Sequence, residues 1–175
     1  MRARENEEAG PLSDFLMADH RRLEKLLQLA VAHADQVDRG AYEQFRAGLL
    51  RHIGMEEKIL LPAAQRLRDG EPLLIASRLR LDHGALATLL IPTPTAAVIA
   101  TIRGILEDHN ILEEGPGGLY EICDKLAGSE AAQLLAKLQA APEVTVLPHS
   151  DTPTVMNTVH RALKRAGYKF REDTI

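Results

Sequence analysis

The chain has 175 residues, 45% of them hydrophobic and 26% charged, with a formal net charge of −4. That length suits one domain, and no apolar run approaches the roughly 20 residues of a membrane-spanning helix. The acidic balance offers no footprint for nucleic acid or anionic lipid, and the 3% of aromatic residues gives no base-stacking platform. A single cysteine, Cys123, excludes an internal disulfide and a Cys-based zinc site. With a charged N-terminus that lacks the apolar stretch of a signal peptide, the chain reads as cytoplasmic, binding neither nucleic acid nor membrane.

Residues 1–11 are polar and are expected to form a flexible N-terminus. Leu12, Leu16, Leu23 and Leu27 then recur at helical spacing, with Ser13 as a candidate N-cap and His20 on the same stripe. This helix is expected to reach about Val37, where Asp38-Arg39-Gly40 turns the chain. A second helix carries Phe45, Leu49, His52, Glu56 and Ile59 inward, and Pro62 is expected to kink or end it. After the Asp69-Gly70-Glu71-Pro72 connector, a third helix aligns Ala76, Leu79, His83, Leu86 and Leu90. A fourth aligns Val98, Ile102, Ile105, His109 and Glu113 before Gly115-Pro116-Gly117-Gly118 interrupts it. Leu119, Ile122, Cys123 and Leu126 keep the helical phase, which predicts a broken or bulged helix there. A short helix capped by Ser129, a breaker-rich linker over 142–153 and a last amphipathic helix over 154–166 follow.

Histidines 20, 52, 83 and 109 are separated by 32, 31 and 26 residues, about one helix plus turn each. In an up-down bundle such residues return to one axial level. His52/Glu56 and His109/Glu113 each place an imidazole and a carboxylate one turn apart on one helix face. Two carboxylates buried without partners would cost several kcal/mol each, so a metal pair is the economical reading of their inward phase. Four imidazoles and two carboxylates suit iron or manganese. Taken singly, a His on an apolar stripe is more often a hydrogen-bonded core residue. The six together are the signal. Glu24, Glu57 and Glu114 lie close enough in sequence to be further ligand candidates, against the alternative of solvated surface acids.

The motifs Asp19-His20, His52-Ile-Gly-Met-Glu56-Glu57, Asp82-His83 and His109-Asn-Ile-Leu-Glu113-Glu114 together resemble the hemerythrin-like, HHE-type cation-binding domain, over roughly residues 12–128. The resemblance implies an all-α fold: an antiparallel up-down four-helix bundle over 12–128, with residues 129–175 as a small C-terminal helical appendage of one or two short helices. It implies two non-haem iron ions joined by an oxo or hydroxo bridge, with manganese or zinc as substitutes. His20, His52, His83 and His109 would be terminal ligands, with Glu56 and Glu113 bridging. Two departures stand out. The third helix offers only His83 where the oxygen-carrying relatives have two histidines, and the last pair is spaced HxxxE rather than HxxxxD. One terminal ligand fewer leaves an open position, and the Gly-Pro-Gly-Gly break is a candidate path to it.

The functional expectation is a di-iron protein that binds or senses O2, peroxide, NO or iron itself. A di-iron redox enzyme, peroxidase-like or NO-handling, is the alternative, and a metal-free helical interaction protein a third. The C-terminal extension is expected to serve a protein partner or a homo-oligomer.

Overall fold

A computed structural model describes residues 9–172. The expected N-terminal flexibility falls mostly on residues 1–8, outside those described. Among the described residues the regular structure is helical, apart from one isolated bridge between His33 and Gln36.

Helix α1 (Pro11–Ala30) starts with Pro11 in its first turn, where the missing N–H costs nothing. Ser13 is not its N-cap. Its hydroxyl and backbone N–H, with that of Leu12, instead bond Asp124 from far along the chain, at 2.5, 3.0 and 2.9 Å. The helix also stops seven residues short of Val37. The Asp38 N–H takes the Ala30 carbonyl at 2.8 Å, and the Asp38 side chain accepts from Ala41, opening α2 (Arg39–Met55).

Pro62 acts through the turn before it. A π turn (Glu56–Leu60) separates α2 from α3 (Leu61–Leu67), closed by a bond from the Leu61 N–H to the Glu56 carbonyl. Widening the helix by one residue per turn lets the chain run on although Pro62 has no N–H to give. Helix α4 (Ala76–Leu89) follows, and then α5 (Ala96–Glu114), capped by the Thr95 hydroxyl. The Gly115–Gly118 break leads into α6 (Leu119–Ala127), a 3₁₀ turn (Gly128–Glu130), α7 (Ala131–Gln139) and α8 (Pro153–Ala166). Ser129 lies inside the 3₁₀ turn rather than capping a helix.

The core is two apolar clusters with a polar layer between them. Leu23, Leu27, Phe45, Leu49, Leu86, Leu89, Ile102 and Ile105 belong to one; Leu12, Leu16, Met55, Leu60, Leu79, Leu119 and Cys123 belong to the other. Asp19/His20, His52, Asp82/His83 and His109 fall at the change-over in α1, α2, α4 and α5. Chain direction between the clusters alternates from each of these helices to the next. The C-terminal helices are built into the same core: Val159, Leu163 and Ala166 of α8 join the first cluster against α4, and Leu134 and Leu138 of α7 join the second. In the linker between α7 and α8, Leu147 is 77% exposed.

Candidate metal centre

Four helices each bring one histidine to the polar layer, and the carboxylates of Glu56 and Glu113 stand among them. Glu56 and Glu113 are fully buried, and His52, His83 and His109 are nearly so. The donor atoms fall into two groups. His20, His52, Glu56 and Glu113 form one, and His83, His109, Glu56 and Glu113 form the other, each with its ligand atoms within 4.8 Å of one another. Both groups use the same two carboxylates.

Each carboxylate gives one oxygen to each half. In the first half, His52 Nε2 lies 3.2 Å from Glu56 Oε1, and His20 Nε2 lies 3.3 Å from Glu113 Oε2. In the second, His83 Nε2 lies 3.1 Å from Glu56 Oε2, and His109 Nε2 lies 2.9 Å from Glu113 Oε1. Those last two oxygens are buried with no aligned hydrogen-bond donor. Close nitrogens that do not point at them, and two imidazole nitrogens 3.2 Å apart, mark donors converging on a shared point rather than on one another. A buried oxygen left without a bond costs about 1–3 kcal/mol, more when charged, and a cation removes that cost. The donor set therefore fits a metal cation, and His/Glu chemistry of this kind could hold one in each half.

The outer nitrogens fix the rings. His52 Nδ1 bonds Asp19 at 2.8 Å and His109 Nδ1 bonds Asp82 at 3.1 Å. His83 Nδ1 bonds Glu57 at 2.6 Å, and His20 Nδ1 makes a short bond to Glu114. With the outer nitrogen donating to a carboxylate, the inner Nε2 presents its lone pair to the centre. Glu57 and Glu114 thus stand behind the rings, outside both groups, instead of among the donors. Glu24 is not brought to the cluster either; it accepts from Gln28 at 3.1 Å on the exposed side of α1.

Sequence reasoning assigned no role to three residues of the site. Asp19 and Asp82 sit directly before His20 and His83, and the repeated Asp-His dipeptide was the available signal. Tyr120 gave none. Its hydroxyl lies in the first half, 2.7 Å from Glu56 Oε1, 3.1 Å from Glu113 Oε2, and 3.0 and 3.1 Å from Nε2 of His20 and His52. The glycine break delivers it. A Cβ on Gly118 would lie 2.7 Å from the Glu113 and Gly115 carbonyl oxygens, and one on Gly115 would lie 2.5 Å from that of Ile111. Gly117 takes φ +71°, and its N–H bonds Glu121 at 2.7 Å. The chain folds back tightly enough to bring α6 over the site, and Asp124 pins α6 to the start of α1. The break was expected to open the site near His109. Among the four histidines the His20 side chain, at 8% exposure, is the most open.

Electrostatics follow from this packing. Burial alone would depress His52, but the Glu56 charge and the Asp19 bond outweigh it and lift its pKa to about 10. Burial is likewise overcome at His83, lifted to about 11 by the neighbouring carboxylates of Glu113, Glu56 and Glu57, and at His109, lifted to about 9 by Glu113 and Asp82. Burial and the two carboxylate charges push the Tyr120 phenol well above its usual value. Glu113, although buried, is held well below the carboxylate range by His109, His20 and His83. Without a cation, protons on the imidazoles balance the carboxylates.

A cleft of about 380 Å³ reaches the centre from outside, floored by Leu23, Leu27, Leu49 and Leu106 and walled in part by His20. No helix of the described residues is long and apolar enough to cross a membrane.

Neither a curated protein nor a solved structure matches the chain. Residues 12–116 match the hemerythrin HHE cation binding domain, a span that holds all six members of the two groups and ends before Tyr120. With well over half of its length matched, the chain belongs to the hemerythrin HHE cation-binding domain family.

Proposed function

We propose that the protein is a non-haem di-iron protein that binds or senses a small oxidant or gas such as O2, peroxide or NO. The observation that carries this reading is the sharing of Glu56 and Glu113 between two donor groups, one oxygen to each half. Two ions held by His20 and His52 on one side and by His83 and His109 on the other would need such bridges. The alternation of α1, α2, α4 and α5 between the two apolar clusters supports an antiparallel four-helix bundle as the frame.

Bound iron would supply reversible one-electron chemistry and a coordination position for a small molecule. The chain's own residues do the rest. Asp19, Asp82, Glu57 and Glu114 hold the rings. Tyr120 supplies an oxygen to the first half, and the second half, with its two unpartnered oxygens, is where the missing terminal ligand leaves room. The apolar clusters on both sides keep bulk water from the carboxylates.

A redox enzyme, peroxidase-like or NO-handling, is the second reading, favoured by a cleft large enough for more than a diatomic molecule. We place the protein in the cytoplasm, its single buried cysteine suiting a reducing compartment. The solvent faces of α7 and α8 would serve a protein partner or a second copy.

Metal analysis of protein purified without chelators tests the centre: about two irons per chain are expected, and fewer than about one overturns it. Anaerobic reduction followed by O2, peroxide or NO, observed in the near-ultraviolet, then separates the readings. Stable reversible adducts mean a sensor or carrier, and repeated turnover means an enzyme.

A further inference from the structure

Away from the metal centre, the groove between α4 and α8 carries three arginines, two of which have no acidic partner among the described residues. Its volume is about 270 Å³, and Arg80, Arg161 and Arg165 line it together with Leu81, Thr88 and Thr158. No carboxylate lines it, although acids outnumber bases in the whole chain, 25 to 21. Arg161 and Arg165 are one turn apart on α8, so their like charges destabilise that face by a few tenths of a kcal/mol.

Several arginines elsewhere in the described chain are engaged: Arg22 pairs with Asp19, Arg66 with Glu130 and Arg78 with Asp82. In the groove only Arg80 has an acidic partner, Glu57 at 3.3 Å. Arg161 has nothing closer than its own helix carbonyl at Asn157, 3.4 Å away, and Arg165 has no partner among the described residues. The hydroxyls of Thr88 and Thr158 donate to carbonyls of their own helices. The guanidinium groups of Arg161 and Arg165 are therefore the donors left for a ligand.

We propose that this groove binds a phosphate group, held by Arg161 and Arg165 with Arg80 across from them. A guanidinium offers paired N–H donors that match two phosphate oxygens, and three of them around one small volume suit a dianion better than a carboxylate. The volume exceeds that of a free phosphate, and the apolar wall of Leu81 accommodates the organic part of a phosphate ester. The groove residues are distinct from the donor atoms of the metal centre. Arg80 nevertheless touches both, through Glu57 and its bond to His83.

The test is equilibrium dialysis of the protein as purified against inorganic phosphate, with chloride holding the ionic strength constant and metal content recorded for each sample. Saturable binding of about one phosphate per chain is expected. In the R161Q/R165Q variant, whose changed side chains are exposed, it should weaken by roughly tenfold or more with metal content and helicity unchanged. A nucleoside monophosphate in place of phosphate distinguishes the source: tighter binding points to an ester, equal binding to the free ion. Absence of saturable phosphate binding by the unaltered protein, or equal binding by R161Q/R165Q, overturns the proposal. Because the readout is phosphate and not iron, loss of the metal reading would leave this result interpretable.

Discussion

Asp19 directly precedes His20, yet its carboxylate bonds the ring of His52 on the next helix, 2.8 Å away. Asp82 repeats the relationship, preceding His83 and bonding His109 at 3.1 Å. Glu57 and Glu114 complete the set from the other side, each following a shared carboxylate and holding the histidine of a different helix. Every ring is thus fixed by an acid that neighbours, in sequence, another member of the cluster. Replacing one of these acids should loosen the centre without dismantling it. Asp19→Asn and Asp82→Asn are expected to lower metal affinity by about 10–100-fold, as loss of such supporting bonds does elsewhere. Competition against a chelator of known affinity measures it, and unchanged affinity in both variants would remove their positioning role.

Shared carboxylates make a different prediction from terminal histidines. Glu56 and Glu113 serve both halves, so Glu56→Ala or Glu113→Ala should cost both ions. His20→Ala and His109→Ala each touch one half and should leave about one ion per chain. Metal-to-protein ratios after gel filtration decide this. Equal losses in all four variants would argue against two carboxylate-bridged halves.

Much of this was legible in the sequence. The six core members fall on helical apolar stripes, and each carried a signal that survived folding. What was not legible came from tertiary contact. Nothing local distinguishes Glu57 as a ligand from Glu57 as a support for His83; the π turn of residues 56–60, unforeseen, lies at this point of the chain. Tyr120 was invisible because helical phase across Gly115–Gly118 predicts only a broken or bulged helix, whereas the glycines permit a sharp return. The end of α1 at Ala30 likewise depends on a bond from Asp38 that no local propensity encodes.

The metal-free and metal-loaded forms should respond to pH in opposite senses. In the metal-free form the folded pKa values of His109, His52 and His83 stand at about 9, 10 and 11, above the roughly 6.5 of an unfolded histidine. Folding therefore binds protons between those values, and the stability they contribute is complete below pH of about 6.5 and lost as pH rises through 9 to 11. The melting temperature of metal-free protein should fall over that range. Metal must displace the same protons, so affinity should rise with pH, and loading near pH 7 should release protons into a weakly buffered solution. Metal uptake with no proton release would count against histidine ligation.

Tyr120 and the turn that places it can be separated. Tyr120→Phe keeps the ring and removes one oxygen, so the fold and the metal ratio should persist while the absorption of the loaded protein shifts. Gly118→Ala instead forces a methyl group against two carbonyl oxygens at 2.7 Å, a strain expected to cost about 1–3 kcal/mol. It should alter the same absorption through displacement of α6. An unchanged spectrum in Tyr120→Phe would place the phenol outside the coordination sphere.

Leu163 of α8 is 1% exposed and belongs to the same apolar cluster as Leu86, Leu89 and Ile102. If residues after 128 were an appendage, a cavity there would leave the metal-bearing helices untouched. Packed as it is, Leu163→Ala should destabilise the whole protein by about 2–5 kcal/mol in a single denaturant transition, judged by a lower midpoint at unchanged slope. The cost should reach the site as well, because α8 braces α4, the helix that carries Asp82 and His83. Metal release and loss of helicity should therefore coincide in this variant. A separate early transition that spares the bound metal would show instead that α8 folds and unfolds on its own.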